Sequence, residues 1–126
     1  MKKVLINVSN HPSEAWSQEQ KAGWDEIFDI QFPAVNPNLD TLDAEYQNIE
    51  LELKRKIYQK RVDIYRMFGE KTHIGLCLQG EFSLCYRLFK QLHDAFRFYI
   101  PTTERTVVEK DNTKTSVFKF VRWRVV

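Results

Sequence analysis

The chain opens on a short β-branched run, Val4-Leu5-Ile6-Asn7-Val8, that ends in the turn-and-cap cluster Ser9-Asn10-His11-Pro12-Ser13. That is the pattern of a buried strand followed by a loop. A short helix is predicted between Glu14 and Trp24, with Ser13 as its cap. Glu26 to Phe32 alternates polar and apolar positions until Pro33 stops it, which predicts a second strand. Beyond the loop at Pro33, Asn36 and Pro37, the apolar positions Leu42, Tyr46, Ile49, Leu53, Ile57 and Ile64 recur at threes and fours, marking a long amphipathic helix from Asp40 to about Met67. Thr72 to Gln79 is nearly all apolar, and after Gly80-Glu81 a helical pattern of Phe82, Cys85, Leu88, Phe89 and Leu92 begins. Arg97 to Ile100 reads as a fourth strand broken at Pro101. Thr106-Val107-Val108 and Ser116 to Val125 then read as a hairpin around the polar turn Asp111 to Lys114.

Strands that alternate with helices need crossover connections, and right-handed crossovers produce a mostly parallel sheet between helices. The expected fold is therefore α/β: a mostly parallel sheet flanked by helices, with a C-terminal β-hairpin appended. At 126 residues, with no repeat or linker, it is read as one domain over residues 1–126.

Charge narrows the function classes. Nineteen Lys+Arg against seventeen Asp+Glu give +2, short of the basic footprint of a protein that tracks long nucleic acid. That charge is unevenly spread: from Arg105 onward six basic residues face two acidic ones, a net +4, while the first 104 residues carry −2. The first apolar stretch breaks at Asn7, too short for a signal segment or a spanning helix, so no membrane partner and a cytoplasmic location are expected. Cys77 and Cys85 match no zinc or redox spacing and read as small core residues. No histidines or acids fall at metal-ligand spacing, so no metal and no cofactor is expected.

In an open parallel sheet, ligands bind outside the carboxyl ends of the strands, where strand order reverses. Three segments lie at such ends: Ser9-Asn10-His11-Pro12-Ser13, Gln79-Gly80-Glu81 and Thr102-Thr103-Glu104-Arg105. A glycine that opens a helix permits close backbone approach, and free N–H groups there favour an anion such as phosphate. The plainer account is that Gly80 makes a tight turn and Glu81 complements the helix dipole. Neither G-x-G-x-x-G nor a P-loop signature occurs. His11 is the acid/base candidate, since an imidazole exchanges a proton near neutral pH; a plain surface histidine is the alternative. His73 and His93 read as structural, and Trp16 and Trp24 as core rings. In the last strand, alternation by two sets Arg122 and Arg124 in line with Phe118 and Phe120, an arrangement suited to phosphates or base stacking. Its alternative is an edge strand protected by charge.

Taken together, Ser9-Asn10-His11-Pro12-Ser13 with Trp16, Phe32-Pro33, Gln79-Gly80-Glu81, Thr103-Glu104-Arg105 and the ending Phe118-Lys119-Phe120-Val121-Arg122-Trp123-Arg124 resemble a family of small stand-alone CRISPR-associated proteins of type III systems. Those proteins are related to the CRISPR-associated Rossmann (CARF) fold and grouped with the ring nucleases. The resemblance implies a CARF/Rossmann-like domain that binds cyclic oligoadenylate, commonly the four-membered ring, and linearises it without metal to switch off antiviral signalling. A homodimer is the implied cradle, because a ring with rotational symmetry suits an isologous pair. The implied roles are His11 for proton transfer, Arg105 for charge on the phosphorane and Glu81 or Glu104 for orientation. Ser9, Asn10, Ser13, Gln79, Gly80, Thr102, Thr103, Glu104, Arg122 and Arg124 would line the ligand. The alternatives are a non-catalytic sponge for the same ligand and a small nucleotide-processing α/β enzyme.

Overall fold

In the computed structural model, which describes residues 1–126, β1 (Lys3–Ser9), β2 (Glu26–Gln31), β3 (His73–Leu78), β4 (Arg97–Lys110) and β5 (Thr113–Val125) form one sheet in the order β2-β1-β3-β4-β5. The pairs β1–β2, β1–β3 and β3–β4 are parallel, and β4–β5 is an antiparallel hairpin. This is the expected α/β fold, Rossmann-like in having helices on a mostly parallel sheet. The order reverses at β1, where the chain steps out to β2 and returns to β3 on the other side.

The two faces of the sheet are covered unequally. Val4, Ile6, Val8, Ile74, Leu76 and Phe98 point to one face. There they meet Tyr46, Leu53, Ile57 and Ile64 of α2 (Ala44–Phe68) and Leu84, Leu88 and Leu92 of α3 (Phe82–Leu92). The three α3 leucines, spaced by four, are fully buried, and each contributes about 1.5–3 kcal/mol of burial energy. Glu50 of α2 and Arg87 of α3 pair at 2.7 Å across the two helices. On the opposite face, Leu5, Cys77 and Tyr99 are roofed by Trp16, Trp24 and Trp123. Only a 3₁₀ turn (Ser13–Ala15) and the one-turn helix α1 (Gln18–Lys21) cross there, so rings supply the apolar cover that a long helix would otherwise give. Gly75 admits them: a Cβ would lie 2.6 Å from the Tyr99 ring and 2.9 Å from that of Trp24. Burial pushes the Cys77 thiol up to about 12, in keeping with a core cysteine.

Three local expectations are corrected. Ser17, not Ser13, caps α1, accepting from the Gln20 N–H at 3.3 Å. Pro101 does not break β4, which runs unbroken from Arg97 to Lys110. Beside β3 only Arg97 and Phe98 are paired, so the missing N–H at Pro101 falls where β3 has ended and no neighbour asks for a donor. The hairpin turn is only Asp111-Asn112, both at positive φ (51° and 64°), as a two-residue type I′ connection requires. The ladder extends inward from Lys110↔Thr113, so β4 and β5 form an arm well past the rest of the sheet.

Candidate functional site

The carboxyl ends of β1 and β3 lie side by side, with Val8 opposite Leu78, and the two loops that follow share one rim. The first of these is tightly held. Asn7, fully buried in β1, donates through Nδ2 to the His11 carbonyl at 3.0 Å and to Asp29 Oδ1 of β2 at 2.9 Å. The Ser9 hydroxyl lies 2.9 Å from Asn7 Oδ1, which accepts its proton, and Ser9 Oγ accepts from the His11 N–H at 3.1 Å. Trp16 Nε1 donates to the same His11 carbonyl at 3.1 Å. Asp29 Oδ2 accepts from both the backbone N–H and the hydroxyl of Ser13, at 3.1 and 3.0 Å. Backbone and polar side chains of the loop are thus occupied inward. The side chains of Asn10 and His11 remain exposed on the rim.

Sequence reasoning named Ser9 and Ser13 as ligand contacts; in the structure their hydroxyls brace the loop. It missed Asn7 and Asp29 as the residues that brace it. The available signal was an asparagine inside an otherwise apolar buried run, where a polar group persists only if hydrogen-bonded.

The second loop is shaped by packing and capping. Gln79 ties β3 to β1 through its backbone N–H and the Val8 carbonyl, at 2.9 Å. A Cβ on Gly80 would stand 2.3–2.4 Å from three carbons of the Phe32 ring, itself 2% exposed. The Glu81 carboxylate accepts from the Ser83 N–H at 3.1 Å, the Leu84 N–H at 2.9 Å and the Ser83 hydroxyl at 2.6 Å. The Ser83 hydroxyl bond, then the two backbone donors, hold that carboxyl below the usual range against a smaller opposing effect of burial. The plainer account of Gly80 and Glu81 therefore describes their contacts: the first N–H groups of α3 already serve a carboxylate.

The third segment departs most from expectation. Extending the β3–β4 register beyond Leu76↔Phe98 sets Ile100 level with Leu78, so Arg105 is about 17 Å beyond the end of β3 at the usual rise per residue. Thr103, Glu104 and Arg105 are exposed on the arm, with Arg105 Nε donating across it to Ser116 Oγ at 3.1 Å. The structure brings His11, Asn10, Gln79, Gly80 and Glu81 to one rim and leaves Arg105 off it.

The alignment of Arg122 and Arg124 with Phe118 and Phe120 is also corrected. Thr102 pairs Arg122 but Thr103 pairs Phe120, so Val121 is an extra residue that shifts the alternation. The Thr102 hydroxyl closes this bulge, lying 3.0 Å from the Arg122 carbonyl and 3.3 Å from the Arg122 N–H. Phe120 falls on the same face as Trp123, ring centroids 5.6 Å apart. Arg122 and Arg124 face the opposite way, both exposed.

Away from the rim, His73 Nε2 lies 2.7 Å from the Tyr99 hydroxyl, and burial, then Lys3 and Arg97, hold the His73 ring below its ordinary pKa. His93 Nδ1 meets the Phe89 and Lys90 carbonyls at the end of α3. No group of three or more His, Cys, Asp or Glu side chains is placed to hold a metal ion. A hollow of about 640 Å³ lies between the end of β2 and α2, with Phe32, Pro33, Glu45 and Glu52 among its walls, and none of the residues expected to catalyse or to line the ligand border it. No helix is long and apolar enough to cross a membrane.

A family model matches residues 3–124, nearly the entire chain. The chain belongs to the uncharacterized protein MJ1673 family. The match runs from the first residue of β1 through Arg124, so the braced loop, the rim and the arm all lie within what MJ1673 family membership covers. No curated protein and no solved structure matches the chain.

Proposed function

We propose that this protein is a metal-independent ring nuclease that binds cyclic oligoadenylate, in the first instance cyclic tetra-adenylate, and opens it to end type III CRISPR antiviral signalling. The observation that supports this reading is the braced loop at the point of strand reversal. Asn7, Ser9 and Trp16 hold the backbone of His11 in one place while its imidazole stays open to a ligand. A reaction that depends on positioning gains most from such a loop.

In the proposed step the ribose 2′-oxygen bonds to the adjacent phosphorus and the phosphorus–5′-oxygen bond breaks. His11 takes the proton of the 2′-hydroxyl, and the leaving 5′-oxygen gains a proton from water. The products are a 2′,3′-cyclic phosphate end and a free 5′-hydroxyl. Cationic help for the phosphorane comes from arginines of the hairpin, Arg105, Arg122 or Arg124, with two copies cradling the ring. Asn10 and Gln79 are the remaining rim groups that touch it in this reading.

Incubation with cyclic tetra-adenylate in EDTA, followed by separation of products, tests this. Linear product from a molar excess of ligand is expected, with cleavage lost and binding retained in His11→Ala. Intact ring recovered at one equivalent per site would replace the enzyme with a sponge. Greater thermal stabilisation by mononucleotides than by the ring would point to a nucleotide-processing enzyme instead.

A further inference from the structure

The β4–β5 arm has no strand beside it and no helix behind it. Every residue from Thr103 to Lys119 is exposed. Apolar side chains stand on both surfaces, Val107 and Phe118 on one and Val108 and Val117 on the other, with Phe118 66% exposed. A lone two-stranded ribbon is marginal in water, and nothing within one chain covers these side chains. The arm is also fit to meet its own kind. Glu104 faces Lys119 and Glu109 faces Lys114 across the strands, so opposite charges compensate locally. Residues 103–120 carry four basic and three acidic side chains.

A groove of about 220 Å³ lies on the α3 side of the sheet, and all eight residues that line it are apolar, among them Phe82, Tyr86, Phe89, Ile100 and Val126. Phe82 is 82% exposed and stacks on Tyr86 at 6.5 Å. The groove opens at the end of β3, and the arm leaves the molecule at the same end, because β4 runs parallel to β3 and continues past it.

We propose that the arm of one copy lies in the apolar groove of a second copy, and reciprocally, so that two copies clasp with their rims facing each other. Eight cross-strand pairs make a ribbon about 27 Å long and about 10 Å wide, so two arms in two grooves bury on the order of 1,000 Å² in total, the lower bound for a specific interface. The clasp deepens the two-copy cradle proposed above and rests on that reading only for what lies between the rims. It also accounts for Arg105: a residue about 17 Å beyond its own rim stands level with the facing one, so each site is completed by the other copy.

Size-exclusion chromatography with light scattering, without ligand, tests the clasp. The full chain at about 10 µM should run at twice the chain mass. Phe118→Glu on the arm and Phe82→Glu in the groove should each weaken association at least about a hundredfold, because a carboxylate would be buried without a partner. Far-ultraviolet circular dichroism spectra should stay unchanged, since both side chains are exposed in the single chain, while the melts fall to the value of a dissociated chain. If either variant unfolds, Val107→Glu and Tyr86→Glu replace them. An equimolar mixture of the two variants should regain association, because the mixed pair restores one intact arm in one intact groove. A monomeric full chain at 100 µM, a dimer indifferent to Phe82→Glu, or a mixture that stays monomeric would each overturn the clasp. A dimer that cleaves nothing would overturn the ring-nuclease reading alone, and a monomer that cleaves the clasp alone.

Discussion

Gly80→Ala separates packing from ligand approach at the turn into α3. A methyl group there would sit 2.3–2.4 Å from Phe32 ring carbons, against a normal carbon–carbon contact of about 3.5–4.0 Å. Something must therefore move by more than an ångström. Phe32 is 2% exposed and packed in the main core, so its ring can yield only toward the hollow it borders, giving up core contacts as it does. Overpacking of this kind costs about 1–3 kcal/mol, which for a chain of this size lowers Tm by about 4–12 °C. Urea unfolding at 25 °C should give a lower midpoint with an unchanged slope. In a Phe32→Leu background the shorter side chain makes room, so the second substitution should cost at least about 1 kcal/mol less than it does in the natural chain. If Gly80→Ala proved as stable as the natural chain, or its cost were the same beside Leu at position 32, the steric argument would fail. Gly80 would then be better explained by a ligand that needs the bare backbone.

Three further outcomes follow from contacts on the same rim, in the helical layer and at the start of β3. Glu81→Gln should cost about 1 kcal/mol at neutral pH through loss of a charged N-cap. Because the folded Glu81 carboxyl lies below its ordinary 4.5, that contribution is present above pH 4.5 and lost as pH falls through the lowered value; melts of the two chains should converge at the acid end. Arg87→Met should cost about 1–3 kcal/mol, because Glu50, only 9% exposed, would keep Gln91 alone as a side-chain partner; Glu50→Gln added to it should restore part of that loss in chemical denaturation. His73 favours its neutral form when folded, so the unfolded chain binds the extra proton and stability declines as pH drops below 6.5. The decline should flatten in His73→Gln, and a decline of equal steepness would show that another group causes it.

The order and kind of elements were legible because burial writes itself into spacing. The apolar run at Val4–Val8 is buried on both faces of the sheet, and the threes and fours of α2 from Tyr46 onward and the leucines of α3 each serve one contact surface. The features that were not legible are those where a distant partner decides the local outcome. Pro101 reads as a stop in isolation, yet it is harmless because β3 has already ended beside it. Val121 looks like any other alternating position until the pairing of Thr102 and Thr103 reveals it as the odd residue. Around the rim, Ser9 and Ser13 were recognisable as polar residues in a loop. Which way their hydroxyls turn depends on Asn7 and Asp29, and Asp29 lies sixteen residues from Ser13 along the chain. Arg105 was misplaced for a single reason: a strand taken to end at Pro101 puts it at the rim, and a strand that continues carries it away.

The unequal cover of the sheet gives the molecule two separate optical reporters. All three tryptophans sit in one aromatic layer, Trp123 lying 5.6 Å from Trp16 and 6.2 Å from Trp24 between ring centroids. The two long helices lie entirely on the other side. Indole emission therefore follows the small roof over Leu5 and Tyr99, while the far-ultraviolet helical signal follows α2 and α3. A chain that opens one side before the other would betray itself as two non-superimposable melting curves recorded on an unmodified, unlabelled sample.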